Sequence, residues 1–575
     1  MSGEVPVFSR RFFEPAARLS RIGSGALGGK AQGLVRASRV LARNPELAAP
    51  GFELAIPALA VLAADAFEAF LDRNGMRGAP AGSDDEVADA FQKADLPAEV
   101  VGDLRALAAE VRSPLAVRSS SALEDAVGHP LAGVYLTKML PGNQKAIDDR
   151  FRRLIEAIKL VYASTFFGGA RAYRRALGAD EAPESMAVIL QEVVGRGRGD
   201  RFYPDVSGVA RSLNVYPVGP ALPEQGVASL ALGLGKTIVD GGVCWSFSPA
   251  HPRVGPPFGS NSERLRGTQT GFWAVNVGPP PPYDPIRETE YLVHAGLDAA
   301  EQDGALALTA STYDAGYDRM TPGVGRPGAR VLDFAPLLVL EELPLAAQIR
   351  SVLAACEQEL SGPVEIEFAL TLPHRKGPAR LGVLQVRPLA GLEEEVAVGE
   401  EELSGEAVLA SSRHAAGNGV LSGLRDVVYL EPNGFDVLQT RAIAREVEAL
   451  NAHLVREGRR YVLIGFGRWG SQDPSLGVPV TWPQVAGAGA LVESGLPGFR
   501  VEPSQGSHFF HNLVNQRVSF LSVGQPGEQP VDWDWLGARE LVERTPHARH
   551  VKTEAPLTVR VDGRSRRGVI LRGER

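Results

Sequence analysis

An α/β protein with several cores is the fold class that the sequence predicts, on three observations. Residues 363–388 alternate apolar and polar side chains in two arms around a turn rich in Pro and Gly, the pattern of a β-hairpin. Residues 145–177 repeat apolar side chains at helical spacing, with Phe151, Leu154, Ile155, Ile158 and Val161 on one side. A chain of 575 residues also suffices for about three to four domain-sized units.

Composition narrows the function. A hydrophobic content of 44% and a charged content of 22% are those of an ordinary globular chain. The net charge of −8 argues against a dedicated nucleic-acid binder. Cys244 and Cys356 have no second cysteine at ligand spacing and cannot build a disulfide framework. The amino-terminal residues lack the apolar core of a signal peptide. The most apolar window, residues 54–71, is interrupted by Pro57, Asp65 and Glu68, too polar for a membrane span. The expectation is a soluble, cytoplasmic protein with no membrane or nucleic-acid partner, and no pattern announces its oligomeric state.

In chain order, residues 22–42 run from a glycine-rich loop into a helical pattern that reaches Leu41. Free backbone N–H groups in such a loop suit an anion, and Lys30 stands where its ammonium reaches the same charge. A flexible turn before a helix is the competing reading. Ala31 follows Lys30, so this is not the Gly-x4-Gly-Lys-Ser/Thr phosphate loop. Residues 57–111 read as helical with a break near 75–84. Residues 115–117 read as a short strand that delivers Arg118, Ser119, Ser120 and Ser121 into a loop. These four are either phosphate donors or a serine-rich turn with Arg118 in a surface ion pair. A buried strand begins at Met186 and is broken by Gln191 and Glu192. Residues 251–285 read as a long Pro/Gly-rich surface excursion, 329–340 as a strand and 345–359 as a helix.

The hairpin carries the densest chemistry. Alternation puts Glu365 and Glu367 on one face of its first arm, and Gln385 and Arg387 on one face of its second. Two carboxylates, an amide oxygen and a guanidinium on one patch suit Mg²⁺ and a phosphate. On these residues alone, an exposed sheet face with scattered charges reads equally well.

The motifs recur in an order that resembles a known family. They are Gly28-Gly29-Lys30, Arg118-Ser119-Ser120-Ser121 with Glu124 and Asp125, Leu131-Ala132-Gly133 with Thr137, and Gln191-Glu192-Val193-Val194. Ser207-Gly208-Val209-Ala210, Gly233-Leu234-Gly235, Glu365-Ile366-Glu367-Phe368 and Gln385-Val386-Arg387 follow. Over residues 22–390 the set resembles the nucleotide-binding domain of phosphoenolpyruvate synthase and pyruvate phosphate dikinase, which has an ATP-grasp-like fold. The resemblance implies that Lys30, Arg118 and Arg387 clamp the phosphates of ATP. It implies that Glu367 and Gln385, with Glu365 beside them, hold Mg²⁺, and that Gln191, Glu192 and Val194 line the adenine pocket. Three residues depart from the family pattern: Lys236 stands where Glu is usual, Arg211 where an aromatic is usual, and Leu131 where Phe is usual.

The domains expected are a two-lobed ATP-grasp-like unit over 1–392, an acidic linker over 393–404, and a smaller α/β unit over 405–575. The stretch after Glu402 is shorter than the roughly 250 residues of a pyruvate-binding (β/α)₈ barrel, so that barrel is expected to be missing. The glycine-rich opening at residues 416–423 and Gln505-Gly506-Ser507-His508 before a helix and a strand look like a swivelling phosphohistidine domain. A neutral imidazole at a helix start accepts a phosphoryl group, which makes His508 the candidate carrier; His508 and His511 as core polar partners is the competing reading. Gly465-Phe466-Gly467-Arg468-Trp469-Gly470 fits Gly-x-Gly-x-x-Gly, but no helical pattern follows, so it reads as an anion loop with a stacking Trp469 or as a tight turn. The tail reads as a hairpin turning at Asp562-Gly563, with an arginine cluster. Together these readings predict an ATP- and Mg²⁺-dependent phosphotransferase whose acceptor is a small molecule or a protein. The alternatives are an ATP-grasp ligase that activates a carboxylate and a non-catalytic ATP-sensing module.

Overall fold

The computed structural model describes residues 5–9, 18–78, 82–121, 124, 135–168, 170–171, 184–217, 219–240, 242–256, 258, 260–373, 377–389, 396–471, 477–496, 518–524 and 528–573. The chain divides into two compact units, the first made of 1–212, 228–253 and 261–390 and the second of 213–227, 254–260 and 391–575.

The first unit opens with β1 (Leu19–Ile22), α1 (Gly29–Arg43), β2 (Phe52–Ala55), β3 (Leu59–Leu62), α2 (Ala64–Asn74), α3 (Asp84–Lys93) and α4 (Ala98–Glu110). β4 (Leu115–Ser121), β5 (Thr137–Leu140), α5 (Ile147–Ser164) and β6 (Met186–Glu192) follow. Five of these strands form a sheet in the order β1-β3-β6-β4-β5. Period-two alternation sorts its side chains. Leu62, Val117, Val188 and Leu190 pack with Phe67, Phe70, Phe91, Leu104, Ile158 and Tyr162 from the helices. Arg118 and Gln191 therefore project from the opposite face.

The second sheet uses β7 (Val206–Arg211), β8 (Val227–Ala231), β9 (Trp245–Phe247), β10 (Val364–Thr371) and β11 (Ala379–Pro388), with α6 (Leu345–Leu360) between β9 and β10 in the chain. Its order is β9-β8-β7-β10-β11-β2. The predicted hairpin is β10–β11, and its register sets Glu365 opposite Arg387 and Glu367 opposite Gln385. On the other flank, β7 sets Arg211 opposite Glu365.

Several local expectations change. Arg118 and its serines lie within β4, not in a loop, because the strand stays paired with β6 through Ser121–Met186. Residues 57–111 are not all helix: Leu59-Ala-Val-Leu is the buried strand β3, an apolar run too short to distinguish strand from helix by pattern. The excursion over 251–285 contains a strand, Gly271–Asn276, whose Phe272 and Ala274 pack with Tyr203, Leu232 and Leu306. Flanking prolines masked that alternation. In 329–340 only Ala329–Val331 is strand, and Ala335–Leu338 forms a helical turn. The basic turn of the hairpin, residues 374–376, lies outside the described residues.

The second unit comprises β12 (Val408–Ser412), β13 (His414–Ala416), β14 (Gly419–Leu430), α7 (Thr440–Arg456), β15 (Tyr461–Phe466), β16 (Ala488–Ser494), β17 (Ser519–Val523), β18 (Ala548–Asp562) and β19 (Arg567–Leu571). The strand order is β12-β19-β18-β14-β15-β16-β17-β13, with β14 through β17 parallel. β12 and β13 occupy the two ends of this order and are separated in the chain only by Arg413, so the sheet closes on itself. Ser412 Oγ donates to the Ser522 carbonyl of β17, and Ala415 N–H donates to the Arg566 carbonyl at 2.9 Å. Closure leaves no free edge along that path.

Trp469 is a core side chain, 1% exposed, whose Nε1 donates to the Val492 carbonyl at 3.1 Å; the stacking-surface reading of its loop falls away. The tail is a hairpin, but Gly563 to Arg566 form its turn. Two of its arginines are paired: Arg567 with Glu400 at 2.9 Å and Arg560 with Glu402. The acidic run is thus not all solvated, since Val396, Val398 and Leu403 also pack on Val569. His508 and His511 lie outside the described residues.

Asp426 is the charged centre of the second unit. It accepts from buried His550 Nε2 at 2.9 Å and pairs with Arg459. Burial opposes its charge, but the hydrogen bonds from His550 and Arg459 hold its carboxyl down at about 2, from an ordinary 3.8. A depressed carboxyl contributes stability that is complete above the unfolded value and lost as pH falls toward the folded one. Asp426→Ala is expected to cost about 1–3 kcal/mol at neutral pH, because it leaves buried His550 Nε2 without its acceptor while the part-exposed Arg459 keeps Glu457. The gap should shrink as pH drops from 4 toward 2. Thermal melting across that window checks it, and an unchanged midpoint at pH 7 would contradict it.

Candidate active site

The glycine-rich loop is seated on β4 by specific contacts. Ser120 Oγ donates to the Leu27 carbonyl at 2.8 Å and accepts from Ala31 N–H at 3.0 Å. Gly28 caps α1 at φ 76°, a left-handed conformation, and a Cβ there would overlap the Ser120 carbonyl. Lys30, in the first turn of α1, reaches Ser119 Oγ at 3.2 Å and Glu124 Oε1 at 2.7 Å. Glu124 is fully buried; its other oxygen accepts from Ser121 N–H at 2.9 Å, while its own N–H donates to Ser121 Oγ at 3.2 Å. That reciprocal pair is the capping-box arrangement, and Ser121-x-x-Glu124 is its sequence signature.

Arg118 joins the two sheets. One terminal nitrogen, Nη1, donates to Gln191 Oε1 at 3.1 Å and to the Leu384 carbonyl at 2.9 Å. The other, Nη2, donates to Glu367 Oε2 at 3.0 Å and to Gln385 Oε1 at 2.7 Å. Beside this cluster runs a second cross-strand row. Arg387 Nε donates to Glu365 Oε1 at 2.9 Å, and Arg211 Nε donates to Glu365 Oε2 at 2.6 Å. Glu365 is 4% exposed. Burial works against its charge, and the two guanidiniums outweigh that and keep its carboxyl below the usual range. Both its oxygens are engaged by arginine, whereas Glu367 and Gln385 each present an oxygen to Arg118.

Helix α1 is held against β11. Gly33 lies on its buried side, where a Cβ would overlap the Val386 carbonyl oxygen. Val386 separates Gln385 from Arg387, so this contact fixes the distance of Lys30 from both. Lys30, Arg118, Glu367, Gln385, Glu365 and Arg387 are in this way tied into one region of the first unit.

The remaining predicted residues sit at the end of β6. Gln191 turns to Arg118, and among the described residues its buried Nε2 has no acceptor. Glu192 Oε1 accepts from Ser113 Oγ at 2.8 Å, while the N–H groups of Glu192 and Val193 are bound to the Ala58 and Pro114 carbonyls. Glu192, Val193, Val194 and Gly195 line a cavity of about 280 Å³ together with Ile56, Pro57 and Gly382. Lys236 pairs with Asp240 at 3.0 Å, its ammonium 6.0 Å from the Trp273 ring. Asp125 and residues 131–133 lie outside the described residues.

Charge chemistry limits what such a site does. Three cations, two hard oxygens and a neighbouring cavity of mixed polar and apolar lining suit a polyanion attached to a planar group, with a hard divalent cation. Among the described residues no group of three or more His, Cys, Asp or Glu is gathered for a metal, and no helix is long and apolar enough to cross a membrane. The comparison with known families is specific. A family model described as pyruvate phosphate dikinase, AMP/ATP-binding domain, matches residues 24–406.

Proposed function

The chain belongs to the family of pyruvate phosphate dikinase AMP/ATP-binding domains, which implies ATP binding and an ATP-utilising phosphotransferase-like activity; from that premise we propose that it transfers a phosphoryl group from Mg²⁺-bound ATP to an acceptor, a small molecule or a protein. One observation carries this reading: Arg118 spans from β4 to Glu367 and Gln385 of β10–β11, with the Lys30 contact at the adjacent Ser119. Arg118, Lys30 and Arg387 bind and orient the phosphates. The cavity at residues 192–195 takes the base and excludes water from it. The oxygens of Glu367 and Gln385 suit Mg²⁺, being hard donors on directly paired residues. Bound there, the ion would neutralise phosphate charge. Phosphoryl transfer otherwise asks the protein for positioning and fixed positive charge, which these side chains supply.

The swivelling-carrier expectation stays a proposal centred on His508. Incubation with β-labelled ATP and Mg²⁺ tests the scheme. AMP and an acid-labile protein label that disappears in His508→Ala are the expected results. ADP as the only nucleotide product would point to ligase-type or simple kinase chemistry, and ATP binding without turnover to a sensing role.

A further inference from the structure

The row Arg211–Glu365–Arg387 places two guanidiniums on one buried carboxylate. Register fixes it: Glu365 is directly opposite Arg211 on one side and Arg387 on the other. Glu365 Oε1 accepts from both Nε and Nη2 of Arg387 and Oε2 accepts from Arg211 Nε, so three donors from two guanidiniums fill most of the carboxylate's accepting directions. Arg211 uses only its Nε; among the described residues its two terminal nitrogens make no hydrogen bond, and its side chain is 41% exposed. A guanidinium anchored at Nε presents the Nη pair as a fixed fork, the geometry that grips a phosphate bidentately.

The position along β11 says which phosphate. Gly382 lines the cavity beside Glu192–Gly195, Gln385 meets Arg118, and Arg387 meets Glu365. From Gly382 to Arg387 the strand advances about 16 Å, on the order of an extended nucleoside triphosphate. The row therefore stands at the far end from the base.

We propose that Arg211 and Arg387 form a two-guanidinium clamp on the terminal phosphates of the nucleotide, held at its spacing by Glu365, which acts as a positioning residue and not as a metal ligand. The clamp rests on the ATP reading above and assigns a phosphate contact to Arg211, a residue that reading does not use.

Equilibrium binding of ATP and of AMP to the full chain and to Arg211→Ala tests it. AMP has no terminal phosphates to lose. Arg211→Ala is expected to weaken ATP binding about tenfold or more and to leave AMP binding unchanged, as the loss of a charge-assisted hydrogen-bonding group predicts. Arg211→Lys, which keeps the charge without the fork, is expected to fall between the two. Unchanged ATP affinity in Arg211→Ala overturns the clamp while leaving the ATP site standing. An equal loss for ATP and AMP overturns it as well, in favour of a purely structural arginine. Wild-type protein that binds neither nucleotide removes the ATP reading itself, and the clamp with it.

Discussion

Arg118→Ala is expected to lower ATP turnover by about 10³-fold or more, the scale on which removal of a transition-state guanidinium acts. The side chain is mostly buried and gives four hydrogen bonds, to Gln191, Leu384, Glu367 and Gln385. Its loss leaves four acceptors without that donor and removes the positive charge facing Glu367. Each buried acceptor left unpaired costs about 1–3 kcal/mol, though Glu367 is a quarter exposed and water can replace part of the loss. Some destabilisation therefore accompanies the kinetic effect, and the two need separating. Arg118→Lys does so: an ammonium keeps the charge and offers three donors, but cannot reproduce a planar fork that spans two strands. It should keep most of the melting temperature while turnover stays well below wild type. A folded Arg118→Ala protein that releases nucleotide product at the wild-type rate would remove Arg118 from the site.

The sequence made the hairpin and the faces of its two arms legible because strand periodicity is a local property, while the register came only with the pairing. Glu365, Glu367, Gln385 and Arg387 share faces by counting in twos, and the pairing agrees. The glycine loop leading into α1 was legible for a similar reason, since the departure from helical pattern is visible within a few residues. What stayed hidden depends on partners distant in the chain. Arg211 meets Glu365 across 154 positions, and nothing near either residue announces the other. The serines after Arg118 read as a loop because they are polar; only their pairing with β6 and their bonds to Leu27, Ala31 and Glu124 make a buried strand of them. Glu124 belongs to a motif visible in the sequence, but its bond to Lys30 requires the loop and β4 to be adjacent. In the second unit, Trp469 looked like a loop aromatic until the strands around it supplied a carbonyl for its indole.

Gly33→Ala is expected to reduce turnover by about 10²-fold, the cost of a misplacement near 1 Å in an aligned site. The expectation runs against helix propensity. Gly33 is inside α1, where Ala is favoured over Gly by roughly 1 kcal/mol. The added methyl would however overlap the backbone carbonyl of Val386, which cannot rotate away as a side chain would. Forcing an extra carbon into a packed contact costs about 1–3 kcal/mol, so the propensity gain offsets only part of it and a net loss of up to about 2 kcal/mol is expected. Alignment has no such offset: α1 must move outward from β11, and Lys30 moves with it, away from Gln385 and Arg387. Gly102 supplies the control, since it lies in α4 with nothing within 4 Å of an added Cβ. Gly102→Ala should be slightly stabilising and leave turnover unchanged. If Gly33→Ala matched Gly102→Ala in both melting temperature and rate, the close approach of α1 to β11 would have no part in placing Lys30.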